Sequence, residues 1–263
     1  MTGDTEPAVS VVDVYTRCAG DYADHWGAQL TARGRSLVDA MDLRDARRVL
    51  DLGSGVGLNS DALRAAAPRA VVVNADGSEG MVRRAGGPRV VSDAHLLAFG
   101  DERFDAVLMA FVLHHLARPL VALREVRRVL RDAGRLAAGT WAINPDIRAD
   151  RIWTEELEAA GAAPGPPFNL GFEATNSPDR VRSLMGEAGL TVERIDTHVM
   201  DDPMDVEGFL LRRTRMGVQG WRFSQIAPGD QVGFIERVRA RLQELHSDDL
   251  NARETAILTW ARR

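Results

Sequence analysis

The segment Val49-Leu50-Asp51-Leu52-Gly53-Ser54-Gly55-Val56-Gly57 constrains this chain more than any other. A short, continuous apolar run ends in three alternate glycines. A helix-like stretch, Leu58 to Ala67, follows at once and is stopped by Pro68. Glycine permits positive φ and lets a backbone approach a ligand with no Cβ in the way. The following helix turns its free amide N–H groups toward the same place. Strand, glycine loop and helix in that order predict a nucleotide-type ligand above the end of the strand.

The same alternation continues. Ala70 to Ala75, Arg89 to Val91, Phe104 to Phe111 and Arg135 to Trp141 read as strands, the last led in by the turn Asp132-Ala133-Gly134. Ser78 to Ala85 reads as a short helix. Pro119 opens a clearly amphipathic one, with Leu120, Leu123, Val126, Val129 and Leu130 on one side. Short, continuous apolar strands alternating with helices predict an open α/β sheet of buried parallel strands, with its ligand at their carboxyl ends. Residues 1–8 read as a loose tail and 9–41 as a helical lid ahead of a core at 42–263. Two cap insertions are expected in that core, at about 142–178 and 201–250. Between and after them come a helix at 179–188, an alternating segment from Leu190 to Val199 and a last strand, Thr255 to Trp260.

The glycine spacing selects the ligand class. A dinucleotide fingerprint needs glycines at relative positions 1, 3 and 6. From Gly53 the sixth position is Leu58, so the fingerprint fails and a nicotinamide oxidoreductase is disfavoured. An acid is still due at the end of the second strand to receive ribose hydroxyls, and Asp76 stands there. Asp93 follows the third strand in Ser92-Asp93-Ala94-His95. Each acid alone can be a helix or turn cap; three of them at adjacent strand ends point to one crevice.

At these residues the chain resembles a class I S-adenosylmethionine-dependent methyltransferase of the ubiquinone/menaquinone-type, small-molecule branch. Asp51-Leu52-Gly53-Ser54-Gly55-Val56-Gly57 matches that family's acidic-x-Gly-x-Gly-x-Gly loop, and the run from Phe104 to Leu116 matches its fourth strand and histidine pair. The resemblance is good over about residues 15–141. It implies a Rossmann-like, mostly parallel seven-stranded sheet with helices on both faces and a helical cap, and S-adenosyl-L-methionine as cofactor. It implies Asp51, Gly53, Ser54 and Gly55 at the methionine part of the cofactor and Asp76, Gly77, Ser78 and Met81 around the ribose. Asp93, Ala94 and His95 fall at the adenine, with Ala110 closing the set.

Methyl transfer from a sulfonium is an in-line displacement in which the protein aligns the partners and excludes water. A base matters only where the acceptor must lose a proton. His114 and His115, just after the fourth strand, are the candidates, and His114 is favoured. Tyr22, near Tyr15, His25 and Trp26, is the candidate from the lid, since a sulfonium is attracted to aromatic faces. The insertions carry Trp153, Phe168, Phe172, Met204, Phe209, Leu211, Met216, Trp221, Phe223 and Phe234; most are expected to be the core of a helical cap, and their concentration predicts an apolar, cyclic or polyketide-like acceptor. A non-methylating enzyme on the same cofactor site, such as a pericyclase or decarboxylase, is the alternative.

Composition closes off other classes. All 33 basic residues are arginine, so mechanisms that need a lysine amine are excluded. The net charge of −5 argues against nucleic acid. The pairs Arg47-Arg48, Arg83-Arg84 and Arg127-Arg128 read as solvated. Cys18, the one cysteine, rules out a disulfide framework and a thiolate zinc site. No apolar run reaches the roughly 20 residues of a membrane span, and Met1 to Pro7 does not resemble a signal peptide. The fourth strand ends in Met109-Ala110-Phe111, without the Asn-Pro-Pro-aromatic signature of methyltransferases that act on exocyclic or amide nitrogen. The expectation is a cytoplasmic enzyme of secondary metabolism, without a metal, whose partner is a small-molecule methyl acceptor, with a homodimer left open.

Overall fold

The computed structural model describes residues 9–144, 146–201, 203–250 and 253–263, with 25–30 and 201 described as backbone only. The tail at 1–8 and the side chains of His25, Trp26 and Leu30 therefore lie outside the described residues. The chain divides into two compact units.

The sheet unit comprises 15–143, 169–198 and 255–263. Its seven strands are β1 (Arg48–Leu52), β2 (Val71–Asp76), β3 (Arg89–Val91), β4 (Phe104–Ala110), β5 (Leu130–Trp141), β6 (Thr191–Asp201) and β7 (Arg253–Arg262). They lie in the order β3-β2-β1-β4-β5-β7-β6. The pairs β1–β2, β1–β4, β2–β3 and β4–β5 are parallel, while β7 runs antiparallel to β5. This is the open α/β sheet that the strand pattern calls for, in the seven-stranded, mostly parallel Rossmann-like form that the resemblance implies. Its helices are α1 (Val11–Asp39), α2 (Ser60–Ala66), α3 (Glu79–Val82), α4 (Pro119–Val129), α6 (Phe172–Thr175) and α7 (Pro178–Glu187), with α5 (Arg148–Ala159) belonging to the other unit.

Continuous apolar strands are buried strands, and β1 and β4 are the clearest cases: Val49, Leu50, Ala106, Val107, Leu108 and Met109 are completely buried. The amphipathic stripe of α4 lays Leu123, Val126 and Val129 on the same core, where α7 adds Val181, Leu184 and Met185. Each such side chain contributes about 1.5–3 kcal/mol by leaving water. Leu130, read as the end of that stripe, is instead the first residue of β5. The turn at 132–134 is an irregularity inside β5, because pairing with β4 jumps from Phe104↔Leu130 to Ala106↔Arg135. Ala133 takes φ 57° there. Arg128 is not a solvated charge. Its guanidinium binds Glu125, Asp101 and the carbonyls of Leu97 and Phe99, bracing the loop before β4.

The second unit is helical and comprises, of the described residues, 9–14, 144–168 and 199–254. It holds α5, α8 (Val206–Arg215), α9 (Gly217–Phe223), α10 (Pro228–Gln243) and α11 (Ser247–Leu250). Trp153, Phe209 and Phe234 are fully buried and form an edge-to-face cluster at its centre. These three are therefore core residues of the insertion, and Phe172 lies in the sheet unit. The boundaries differ from the sequence reading in two places. Most of α1, from Tyr15 on, groups with the sheet. Residues 169–178 also stay with it, because Gly171 N–H donates to the His114 carbonyl at 2.9 Å and a Cβ there would lie 2.5 Å from the Leu113 carbonyl.

Candidate active site

The register of the sheet assembles the site. Leu52 of β1 sits level with Ala75 of β2, so Gly53 and Ser54 both donate their N–H groups to the Ala75 carbonyl, at 2.7 and 3.1 Å. Gly53 has φ 70°, and a Cβ on it would lie 2.5 Å from Val112. Gly55, with φ 55°, differs: the nearest atom to a Cβ there is Tyr22 Cε1, at 3.9 Å. One glycine is needed for packing and the other leaves space above the loop.

Asp76 ties the loop to the second strand. Its carboxylate accepts from Gly55 N–H and from Ser78 N–H, both at 2.8 Å. Burial raises its pKa, and these two amide bonds pull it partly back. Asp51 beneath is completely buried, and neither carboxylate oxygen has a hydrogen-bond partner. Burial, helped by the charge of Asp76, pushes its pKa up to about 7. A buried carboxylate without a partner is costly, so this position calls for a cationic or N–H-rich ligand.

Around these acids the sequence-picked residues divide. Ser78 is buried, with its hydroxyl accepting from Met81 N–H as the cap of α3 and lying 2.7 Å from Thr16 Oγ1. Met81 packs with Cys18, Ala19 and Val56. Gly77 is exposed, and Ser54 is buried with its hydroxyl unpartnered. Asp93 is a turn residue in its own loop: it accepts from His95 N–H at 2.9 Å and meets His95 Nδ1 at 2.7 Å. Burial would raise Asp93, but the His95 bonds and the charges of His95 and Arg118 hold it below the usual carboxylate value. His95 Nε2 in turn accepts from Arg118 N–H at 3.3 Å, while Ala94 is buried in the core. Ala110 ends β4 opposite Gly139.

The histidine pair forms a single 3₁₀ turn, Leu113–His115. His114, the favoured base, is 4% exposed, and its Nδ1 has no partner. Burial, reinforced by the His115 charge, pushes its pKa well below the ordinary histidine value. The turn aims the other ring at the amino-terminal helix. His115 Nε2 lies 2.9 Å from Tyr15 Oη, and Tyr15 packs edge-on against both His115 and Tyr22. Burial, with the negative potential of Tyr22, Cys18 and Asp76, holds the Tyr15 phenol well above its ordinary pKa, so it stays a neutral O–H. Burial raises Tyr22 likewise. The sequence favours His114 as the base; the ring that meets the amino-terminal helix is that of His115, and its partner there is Tyr15. Neither the pairing nor Thr16 has a local signal, since each partner lies far along the chain.

The sequence profile of a family described as "Methyltransferase domain" matches residues 50–138. That stretch runs from β1 into β5 and contains Asp51, the glycine loop, Asp76, Asp93 and the histidine turn. Residues 50–138 are a methyltransferase domain. Over 132 residues, 48% of the chain, it is 38% identical to the demethylmenaquinone methyltransferase of Paenarthrobacter aurescens and covers 51% of that protein. It is also 38% identical over 116 residues, 42% of the chain, to the demethylmenaquinone methyltransferase of Beutenbergia cavernae, covering 48% of it. The chain thus spans about half the length of these curated relatives. In structure the methyltransferase fold superposes on a putative methyltransferase from an antibiotic biosynthesis pathway of Anabaena variabilis, with TM-score 0.60 and 18% identity over 86% of this chain and 95% of that one. A putative methyltransferase of Bacillus halodurans gives TM-score 0.58 and 19% identity over 88% and 98%. At these identities the likeness is one of fold.

Among the described residues no group of side chains could hold a metal ion, and no helix is long and apolar enough to cross a membrane.

Proposed function

We propose that the chain transfers a methyl group from S-adenosylmethionine to an apolar, ring-containing small molecule, with His115 taking up the acceptor's proton through Tyr15. The observation that carries this reading is the meeting of Asp51, Gly55, Asp76 and the Tyr15–His115 pair at the ends of β1, β2 and β4. S-adenosylmethionine fits these residues. The unpartnered Asp51 carboxylate supplies the acceptor that the cofactor's amino group requires, and the space above Gly55 admits its backbone. Asp76, already bonded to two amides, keeps lone pairs for ribose hydroxyls. When bound, the cofactor supplies an electrophilic methyl on a positively charged sulfur.

The chain's own part is alignment and proton removal. As the acceptor oxygen, nitrogen or acidic carbon gains the methyl group, its proton passes to Tyr15 Oη while the Tyr15 proton moves to His115 Nε2. The protonated imidazole then returns the proton to water. Tyr22 covers the glycine loop and helps to keep water out. A cytoplasmic place of work and a role in secondary metabolism go with this reading; the lone cysteine and the apolar acceptor support them.

The test is turnover of labelled S-adenosylmethionine with a panel of apolar ring compounds and small hydrophilic metabolites. Stoichiometric S-adenosylhomocysteine and a methylated ring compound are expected. Product formed without S-adenosylhomocysteine would mean non-methylating chemistry, and methylation of the hydrophilic metabolites alone would sink the acceptor assignment.

A further inference from the structure

Phe111 follows the last residue of β4 with φ 60°, in the left-handed region that a bulky side chain adopts only under constraint. The constraints are its neighbours. Its N–H donates to the Gly139 carbonyl at 3.0 Å, prolonging the β4–β5 pairing past Ala110. Its ring lies over Gly139, where a Cβ would come within 3.3 Å of Phe111 Cε2 and 3.2 Å of Leu37 Cδ1. The ring then packs on Trp141, with centroids 4.6 Å apart and planes inclined by 33°. The Arg33 guanidinium covers the Trp141 ring from 5.0 Å. Arg33 is buried, whereas Phe111 and Trp141 are each partly exposed.

Here an unfavourable backbone conformation and a glycine at 139 together hold one flat ring in one orientation, two residues before the turn that carries His115. Strain kept at a strand end beside a crevice is the kind that marks a functional contact.

We propose that Phe111 is a specificity-determining residue: its ring, backed by Trp141 and Arg33, is the surface on which a flat, unsaturated ring of the methyl acceptor lies. The proposal rests on the methyltransferase reading and narrows its acceptor from apolar to planar. Stacked rings prefer an offset arrangement at 4.5–7 Å between centroids, the spacing already used between Phe111 and Trp141. A saturated, puckered ring of the same carbon skeleton cannot make that contact.

The full chain is titrated calorimetrically with 1-naphthol and with 1-decalol, which share a skeleton and a hydroxyl but differ in flatness, with and without S-adenosylhomocysteine. 1-Naphthol is expected to bind about three- to tenfold more tightly, the size of one aromatic pair. Phe111→Gly keeps the backbone conformation and removes the ring, and it should bring the two affinities within about twofold. If that variant does not fold, Phe111→Leu, which fills space without a flat face, carries the same expectation. Equal affinities in the unaltered chain, a preference that survives the substitution, or no binding of either probe at about 1 mM overturns the proposal. The two readings fail separately. A naphthol preference lost on substitution, in a chain that does not bind S-adenosylhomocysteine, supports the flat-ring site and removes the methyltransferase reading.

Discussion

Tyr15 Oη and His115 Nε2 lie 2.9 Å apart, so that two residues separated by 100 positions join the amino-terminal helix to the end of the fourth strand. The next residue, Thr16, reaches the opposite lip of the crevice, with its hydroxyl 2.7 Å from Ser78 Oγ. Two consecutive side chains of α1 thus tie it to the ends of both β4 and β2.

If the pair works as a relay, both members matter to turnover. His115→Ala should lower kcat by about 10²–10⁴, and Tyr15→Phe by a comparable factor, with S-adenosylhomocysteine affinity changed by less than about threefold. His114→Ala should keep turnover and lose about 1–3 kcal/mol of stability through the space left in the core. Steady-state rates with labelled cofactor and urea unfolding of the three variants separate these effects. A Tyr15→Phe variant with full activity would remove Tyr15 from the proton path.

Asp76→Ala takes away the acceptor for Gly55 N–H and Ser78 N–H as well as the ribose contact. S-adenosylhomocysteine binding should weaken by about 1–3 kcal/mol, measured by calorimetry. Unchanged affinity would mean that the cofactor does not reach the end of β2.

Asp51 makes stability depend on pH. Burial raises its folded-state pKa from 3.8 to about 7, so the folded state holds the proton more tightly than the unfolded chain. Its stabilising contribution is present below about pH 4 and is lost as pH rises toward 7. Asp51→Asn removes this dependence. The variant should equal the natural chain near pH 4 and exceed it at pH 8 by up to about 4 kcal/mol. Urea unfolding across that range is the measurement; a difference that does not grow with pH would show that the carboxylate finds a partner in solution.

Gly80 lies where α3 touches α1. A Cβ there would be 2.8 Å from the Thr16 carbonyl oxygen and 3.0 Å from its Cα. Because backbone must move, Gly80→Ala should cost about 1–3 kcal/mol and speed hydrogen exchange in the first turns of α1, leaving the sheet amides protected. Uniform loss of protection would show instead that α1 and the sheet open as one unit.

Much of the fold is legible without tertiary information. The runs ending at Leu52, Ala75, Val91 and Ala110 are strands because continuous apolar segments of that length satisfy two covered faces. The helix at Pro119–Val129 follows from its period. The acids at 51 and 76 stand where strand ends place them. Other readings needed the folded chain. The residues at 132–134 look like a connecting turn, yet pairing on both sides draws them into β5. Most of the insertion aromatics are expected to be cap core, but which ones are is seen only in the folded chain: Trp153, Phe209 and Phe234, because an insertion of short helices needs a buried centre of its own.

Apolar period and glycine's φ freedom act over a few residues, so the strand–glycine loop–helix order, the failure of the dinucleotide spacing and the positions of the acids are local properties of the chain. Which histidine meets Tyr15, how Ser78 is used and how Phe111 is held against Gly139 and Trp141 emerge only once the chain is folded. Those depend on the register between β4 and β5 and on where α1 lies across the strand ends. They are set by contacts between segments tens of residues apart, which no local pattern encodes.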